Sequence, residues 1–132
     1  MILVDTDVLI WVTRKDLHAS EFLDGFDELA ISDVTYMELI QGAKTKREAQ
    51  TIDKALSTMG VVRLAINDSI SKRAAVLVRS YFHSHSMQLA DALIAATALE
   101  YGLALATGNA KHFEVIDGLQ LHKFIPQPKG YA

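Results

Sequence analysis

The sequence predicts an α/β protein with a mostly parallel central sheet of four to five strands and helices on both faces. Three observations lead there. Apolar runs of strand length recur, MILV at 1–4, ELAI at 28–31, VVRLAI at 61–66 and LALAT at 103–107, and stretches with helical apolar spacing lie between them. The helical stretches carry polar N-caps, Ser32 and Asn67 the clearest, and stop at glycines 42, 60 and 102. The 132 residues hold no repeat, low-complexity tract or linker, so the chain is a single domain, long enough to bury a real core. Strands buried on both faces by crossover helices read as continuous apolar runs, as these do.

Taken in order, Met1–Val4 is the first strand, and Asp5-Thr6-Asp7 interrupts it before a helical pattern of Val8, Leu9 and Val12. Asp5 therefore stands at the strand's carboxyl edge, where open α/β sheets bind ligands. Asp5 or Thr6 can equally be an N-cap and nothing more, so a chemical role needs partners from elsewhere. Leu17 to Phe26 is an amphipathic helix with Glu21 and Asp24 outward and Gly25 near its end. After the strand at 28–31, Ser32 opens a helix through Val34, Met37 and Ile40 to Gly42. Lys44 to Arg47 reads as a basic loop, and Ala49 to Met59 as a helix ended by Gly60. Val61 to Ile66 is the third strand, and Asn67 caps a long helix with Ile70, Ala74, Leu77, Val78 and Tyr81 inward. His83-Ser84-His85-Ser86 breaks that pattern, so Gln88 to Tyr101 is a separate helix with Gly102 past its end. Leu103 to Thr107 is the fourth strand; Gly108-Asn109 turns into a short helical turn, and Leu119 to Phe124 is a last strand. The domain spans 1–125, and 126–132, with Pro126, Pro128 and Gly130, is a tail that need not be ordered.

Composition narrows the functions. Half the residues are hydrophobic and mean hydropathy is +0.16, a surplus available to an interface. The absence of Cys excludes disulfides, thiolate zinc sites and Cys nucleophiles, and fits a reducing cytoplasm. No apolar run has the flanks of a signal peptide or approaches the roughly 18 residues of a membrane span, so a cytoplasmic protein without membrane contact is expected. A net charge of −3 argues against a nucleic-acid coat protein. It leaves open an enzyme whose acids hold cations that meet phosphate.

Two further acids stand in apolar company. Glu38 lies among Val34, Tyr36, Met37, Leu39 and Ile40, which leaves little of that helix for water, although a surface Glu is an equal reading. Asp91 is the only ionisable side chain from Met87 to Leu99, on a helix apolar nearly all round and hence expected to be buried. A buried carboxylate without a partner costs several kcal/mol, so Asp91 is paired, protonated or bound to metal. The helix dipole contributes about 0.3–1 kcal/mol, too little to explain burial. The fourth strand delivers Thr107, Gly108 and Asn109 to the edge that carries Asp5. Acids meeting there would repel by about 4 kcal/mol per pair at 4 Å in an effective dielectric of 20, so they call for cations. Carboxylate and water ligands suit Mg²⁺ or Mn²⁺.

The segments VDTDVLIW, ISDVTYMELIQGA, LADALIAATALEYGLALAT and TGNAKHFEVIDGL resemble the successive motifs of PIN-domain ribonucleases, particularly VapC-type toxins of type II toxin–antitoxin systems, from Met1 to about Leu121. By position, Asp5 and Asp91 resemble the family's principal metal ligands and Glu38 its third acid. Thr6 and Thr107 correspond to hydroxyls that orient the carboxylates or a water. The fourth position, often acidic, falls on Asn109, a neutral and weaker ligand that leaves one or two metals open. The resemblance implies a single PIN-like domain and a Mg²⁺- or Mn²⁺-dependent endoribonuclease that leaves a 5′-phosphate and a 3′-hydroxyl. It also implies a VapB-like antitoxin covering the acidic cleft, and a homodimer.

Other readings compete. Asp5-Thr6-Asp7-Val8 also resembles the opening of haloacid-dehalogenase-type phosphatases, which would leave Glu38 and Asp91 unexplained. Asn109 and the acidic balance motivate a non-catalytic PIN-like module that binds RNA or protein. His83 and His85 read as a solvated break rather than a metal pair, and His112 as packing beside Phe113. Arg14, Lys15, Lys44, Lys46 and Arg47 are candidates for contacts to the RNA backbone.

Overall fold

The computed structural model describes residues 1–126. Among them, β1 (Ile2–Val4) is the central strand of a five-stranded sheet. On one side lie β2 (Leu29–Ser32) and then β3 (Val62–Leu64), and on the other β4 (Leu105–Thr107) and then β5 (Leu121–Lys123). Every pairing is parallel, with Leu3 opposite Ala30 on one flank and Leu105 on the other. The expected parallel sheet is thus present in full.

Alternation along the strands feeds two cores, because successive side chains leave opposite faces of a sheet. Leu3, Ala30 and Leu105 meet Ile70 and Leu77 of α5 (Asp68–His85) and Ile94 and Ala95 of α6 (Leu89–Tyr101). On the other face Ile2, Val4, Ile31 and Ala106 pack with Val8 and Leu9 of α1 (Thr6–Thr13) and Leu23 of α2 (Leu17–Asp24). Leu39 of α3 (Asp33–Gln41) and Leu56 of α4 (Lys46–Thr58) complete that layer. The chain leaves β1 toward β2 and β3 and later returns to the opposite flank as β4. The order therefore reverses between β1 and β4, and the crevice beyond their carboxyl ends is the natural ligand site.

Several boundaries differ from the sequence reading: β1, β4 and β5 are shorter than the expected 1–4, 103–107 and 119–124, and three other changes have a local reason. α4 already includes Lys46 and Arg47, because Thr45 Oγ1 accepts from the Glu48 N–H at 3.1 Å while Glu48 reaches back to the Lys44 N–H at 2.6 Å, a reciprocal cap. α5 continues through His83 and His85, whose positions in its last turn suit the negative end of the helix dipole, and it stops at Ser86 in the left-handed conformation. β3 covers only 62–64 of the expected 61–66, as befits an edge strand. Pro128 and Gly130 lie outside the described residues. Among the described residues no helix is long and apolar enough to cross a membrane.

Candidate active site

Asp5 follows β1 directly and caps α1, so its place at the strand edge and its capping role are both as expected. Its Oδ1 accepts from the Thr6 N–H at 2.8 Å and its Oδ2 from the Thr107 hydroxyl at 2.7 Å. Its own N–H donates to the Ala106 carbonyl at 2.9 Å, which seats the carboxylate at the reversal point between β1 and β4. Burial, and then the charge of Asp7, lift the Asp5 carboxyl from 3.8 to about 7, against the opposing hydrogen bonds of Thr107 and Thr6.

Asp7 was not among the expected site residues. One of its oxygens accepts from the Gly108 N–H at 3.0 Å. The other is buried without a fixed donor, and the Asp5 and Asp7 carboxyls act on each other through charge and hydrogen bonding. Burial raises Asp7 as well. The hint in the sequence was the Asp-x-Asp spacing at a strand-to-helix turn. The partner, however, is 101 residues away.

Glu38 is half-buried, and its Oε1 accepts from the Thr6 hydroxyl at 2.7 Å. Thr6 also lies 3.0 Å from the hydroxyl of Thr35, a fully buried residue absent from the sequence reading. Thr6 has one proton to give, so both contacts are satisfied when it donates to Glu38 and accepts from Thr35. The helix around Glu38 is more open than expected, with Met37 54% exposed. Apolar neighbours did not enclose α3 because only its Thr35 and Leu39 face is buried.

Asp91 lies in the first turn of α6, with 18% of its side chain exposed. Of the three fates open to it, a partner is what the structure shows: His112 Nδ1 lies 3.4 Å from its Oδ2. Burial raises the Asp91 carboxyl; His112 lowers it, and the charges of Asp5 and Glu38 raise it again. His112 comes from a single 3₁₀ turn (Ala110–His112) and reaches toward the acids, while its ring is 6.4 Å from that of Phe113, centre to centre. The expected packing on Phe113 is therefore secondary. Asn109 is exposed at the same turn, its N–H donating to Thr107 Oγ1 at 2.9 Å. A cleft of about 370 Å³ opens beside it, lined by Thr107, Lys111, His112, Lys123 and Ile125 among others. His83 and His85 are exposed, as expected.

Thr6 thus links the Asp5 cap to Glu38, and Asp91 senses the charge of both acids. Among the described residues no three His, Asp or Glu side chains are arranged to hold a metal ion directly. The donor chemistry fits a hydrated cation all the same. Mg²⁺ keeps several waters and binds through one or two carboxylates, and carboxyls raised by burial and mutual charge are those a cation would relieve.

Thr107 is the hinge of this arrangement, and Thr107→Val removes its hydroxyl with little change of shape. The substitution strips a donor from Asp5 and an acceptor from the Asn109 N–H. Urea unfolding should show a loss of about 1–3 kcal/mol. An unchanged midpoint would mean that these bonds hold nothing together.

A reversed parallel sheet in the order β3-β2-β1-β4-β5, with acids gathered at its switch point, is the architecture of a PIN domain. The chain belongs to the PIN-domain family, whose profile matches residues 2–119, and within it to the VapC group. It is 40% identical over 126 residues to Ribonuclease VapC10 of Mycobacterium tuberculosis, covering 91% of each chain. In three dimensions it resembles a chain of a toxin–antitoxin complex from Klebsiella pneumoniae, with a TM-score of 0.77, 33% identity and coverage of 90% of this chain and 95% of that one. It also resembles a chain of VapBC-1 from nontypeable Haemophilus influenzae, with a TM-score of 0.78, 25% identity and coverage of 93% and 98%. This placement displaces the phosphatase reading. Asp7, the acid–base residue that reading needed, is instead engaged by a backbone amide.

Proposed function

We propose that this protein is a metal-dependent endoribonuclease, the toxin of a toxin–antitoxin pair, acting at the β1/β4 edge. The observation that carries the reading is Asp5, a carboxyl buried at the end of the central strand and lifted to about 7, within the electrostatic reach of Asp91. Such an edge is unfavourable to keep empty of positive charge. The named activity of VapC10 supports RNA as the substrate class, and the Klebsiella toxin–antitoxin complex together with VapBC-1 from Haemophilus supports a VapB-like antitoxin as the partner class.

In this reading Asp5, Glu38 and Asp91 would hold a hydrated Mg²⁺ or Mn²⁺, one or two of them directly and the rest through its waters, with Asn109 a neutral donor at the fourth position. When bound, the cation offsets the charge of the phosphate and makes a coordinated water more acidic. Thr107 and Thr6 hold Asp5 and Glu38 in place through hydrogen bonds of 2.7 Å each. Lys111 and His112, in the cleft beside Asn109, face the path of the RNA backbone; Lys123, in the same cleft, is already engaged by Glu114 at 3.1 Å. A homodimer fits the apolar side chains Val76, Phe82 and Leu89 left exposed on α5 and α6. Cytoplasmic residence belongs to the same reading.

The test is cleavage of tRNA, rRNA and mRNA pools by the purified protein with Mg²⁺ or Mn²⁺, with EDTA as control. Cutting should vanish in EDTA and return with excess Mn²⁺. Absence of metal-dependent cutting in every pool would instead favour the non-catalytic binding module.

A further inference from the structure

We propose that Asp7 is a positioning residue, a clamp that grips the Gly108 N–H and so fixes the turn carrying Asn109 against the catalytic edge. The catalytic part of this statement rests on the ribonuclease reading above; the clamp itself does not.

The first strand-to-helix junction and the turn after β4 are joined by consecutive bonds. The Thr107 hydroxyl donates to Asp5 at 2.7 Å, the Gly108 N–H to Asp7 at 3.0 Å, and the Asn109 N–H to Thr107 Oγ1 at 2.9 Å. Asp5 is the N-cap of α1, and Asp7, in the helix's first turn, also interacts with the Val8 and Asp7 amides. Its Oδ2 nonetheless reaches across the β1/β4 edge to the Gly108 N–H. The approach is so close that a Cβ on Gly108 would collide with Asp7 Oδ2, while the next atoms, including the Phe124 carbonyl at 3.5 Å, would be in ordinary contact. A side chain at position 108 could be seated only if the Asp7 carboxylate swung away, which would break its bond to the 108 N–H. Asn109 has no capping bond from its own side chain on the 3₁₀ turn it opens, so its place is set by the backbone on either side. Releasing Gly108 would leave Thr107 as its nearest tether to the acids.

The clamp uses Asp7 as an acceptor, and an amide oxygen can replace a carboxylate oxygen in that duty. This separates a clamp from a metal ligand or a proton carrier. The experiment uses the full chain, ¹⁵N-labelled and without metal, to read amide hydrogen exchange at Gly108, alongside steady-state cleavage of an RNA that the wild type cuts. Asp7→Asn should keep Gly108 exchange and kcat within about threefold of wild type. Asp7→Ala should speed Gly108 exchange by about tenfold or more and lower kcat by roughly 10–100-fold with KM little changed, as for loss of a residue that orients a site. Gly108→Ala should be damaging alone yet add nothing to Asp7→Ala, since the colliding carboxylate is then gone. If Asp7→Ala does not fold, retention or loss of kcat in Asp7→Asn decides the matter by itself. Loss in Asp7→Asn as deep as in Asp7→Ala, or Gly108 exchange unmoved by Asp7→Ala, would overturn the clamp. A wild type that cuts no RNA would defeat the ribonuclease reading, and Gly108 exchange would still decide the clamp.

Discussion

Asp5→Asn is expected to lower RNA cleavage about a thousandfold while making the metal-free fold more stable at about pH 8. The loss follows from the central place of this carboxylate. On the proposed reading Asp5 would hold the cation, and losing that hold would remove several kcal/mol of transition-state stabilisation, each 1.36 kcal/mol being tenfold in rate. The gain has the same origin. Above its raised pKa of about 7, the wild-type fold carries a buried charge beside Asp7, at a cost on the order of 4 kcal/mol relative to an ordinary Asp at 3.8. An amide has no charge to desolvate and can donate to the Asp7 oxygen that otherwise lacks a fixed donor. Cleavage assays and urea midpoints on the same preparations check both halves. A variant that cuts like wild type, or that is less stable than wild type without metal, would remove Asp5 from the centre of the site.

The second large effect concerns pH and metal together. Asp5 in the folded chain titrates near 7 against 3.8 for an ordinary aspartate, so between those limits the folded state holds a proton that the unfolded state has released. Stability from this group is therefore complete below about pH 4 and declines as pH rises through about 7, by on the order of 4 kcal/mol. Asp7 and Asp91, also raised by burial, act in the same direction. A divalent cation should reverse the trend, because it takes the place of the proton. Mn²⁺ at about 100 times its Kd should add about 2.7 kcal/mol at about pH 8 and far less at about pH 5, where protons compete for the same oxygens. Urea midpoints across pH, with and without Mn²⁺, measure this, and the difference between wild type and Asp5→Asn isolates the Asp5 share. Stabilisation by Mn²⁺ equal at both pH values would place the metal elsewhere.

How the sequence announced the candidate site differs from residue to residue. Asp5 was legible because strand, acid and helix follow one another within a few positions, so its placement at a strand end is a local matter. Asp91 was legible because one charge in a long apolar helix is conspicuous; it is mostly buried, with 18% of its side chain exposed beside His112. Glu38 was found from apolar neighbours that turned out to be partly exposed. Its true tie to the site is the Thr6 hydroxyl. Thr35, His112 and Asp7 were missed or assigned elsewhere, since their partners lie on other elements.

The chain by itself determined the order of its strands and helices, the caps at Ser32 and Asn67, and the parallel character of the sheet. These depend on apolar period and on the orphan amides of helix ends, which neighbouring residues settle among themselves. Only the tertiary structure decided that β4 lies beside β1. That adjacency brings Gly108 onto Asp7 and Thr107 onto Asp5, contacts across 101 and 102 residues that no local pattern encodes, because they arise from which strand ends the packed helices bring together.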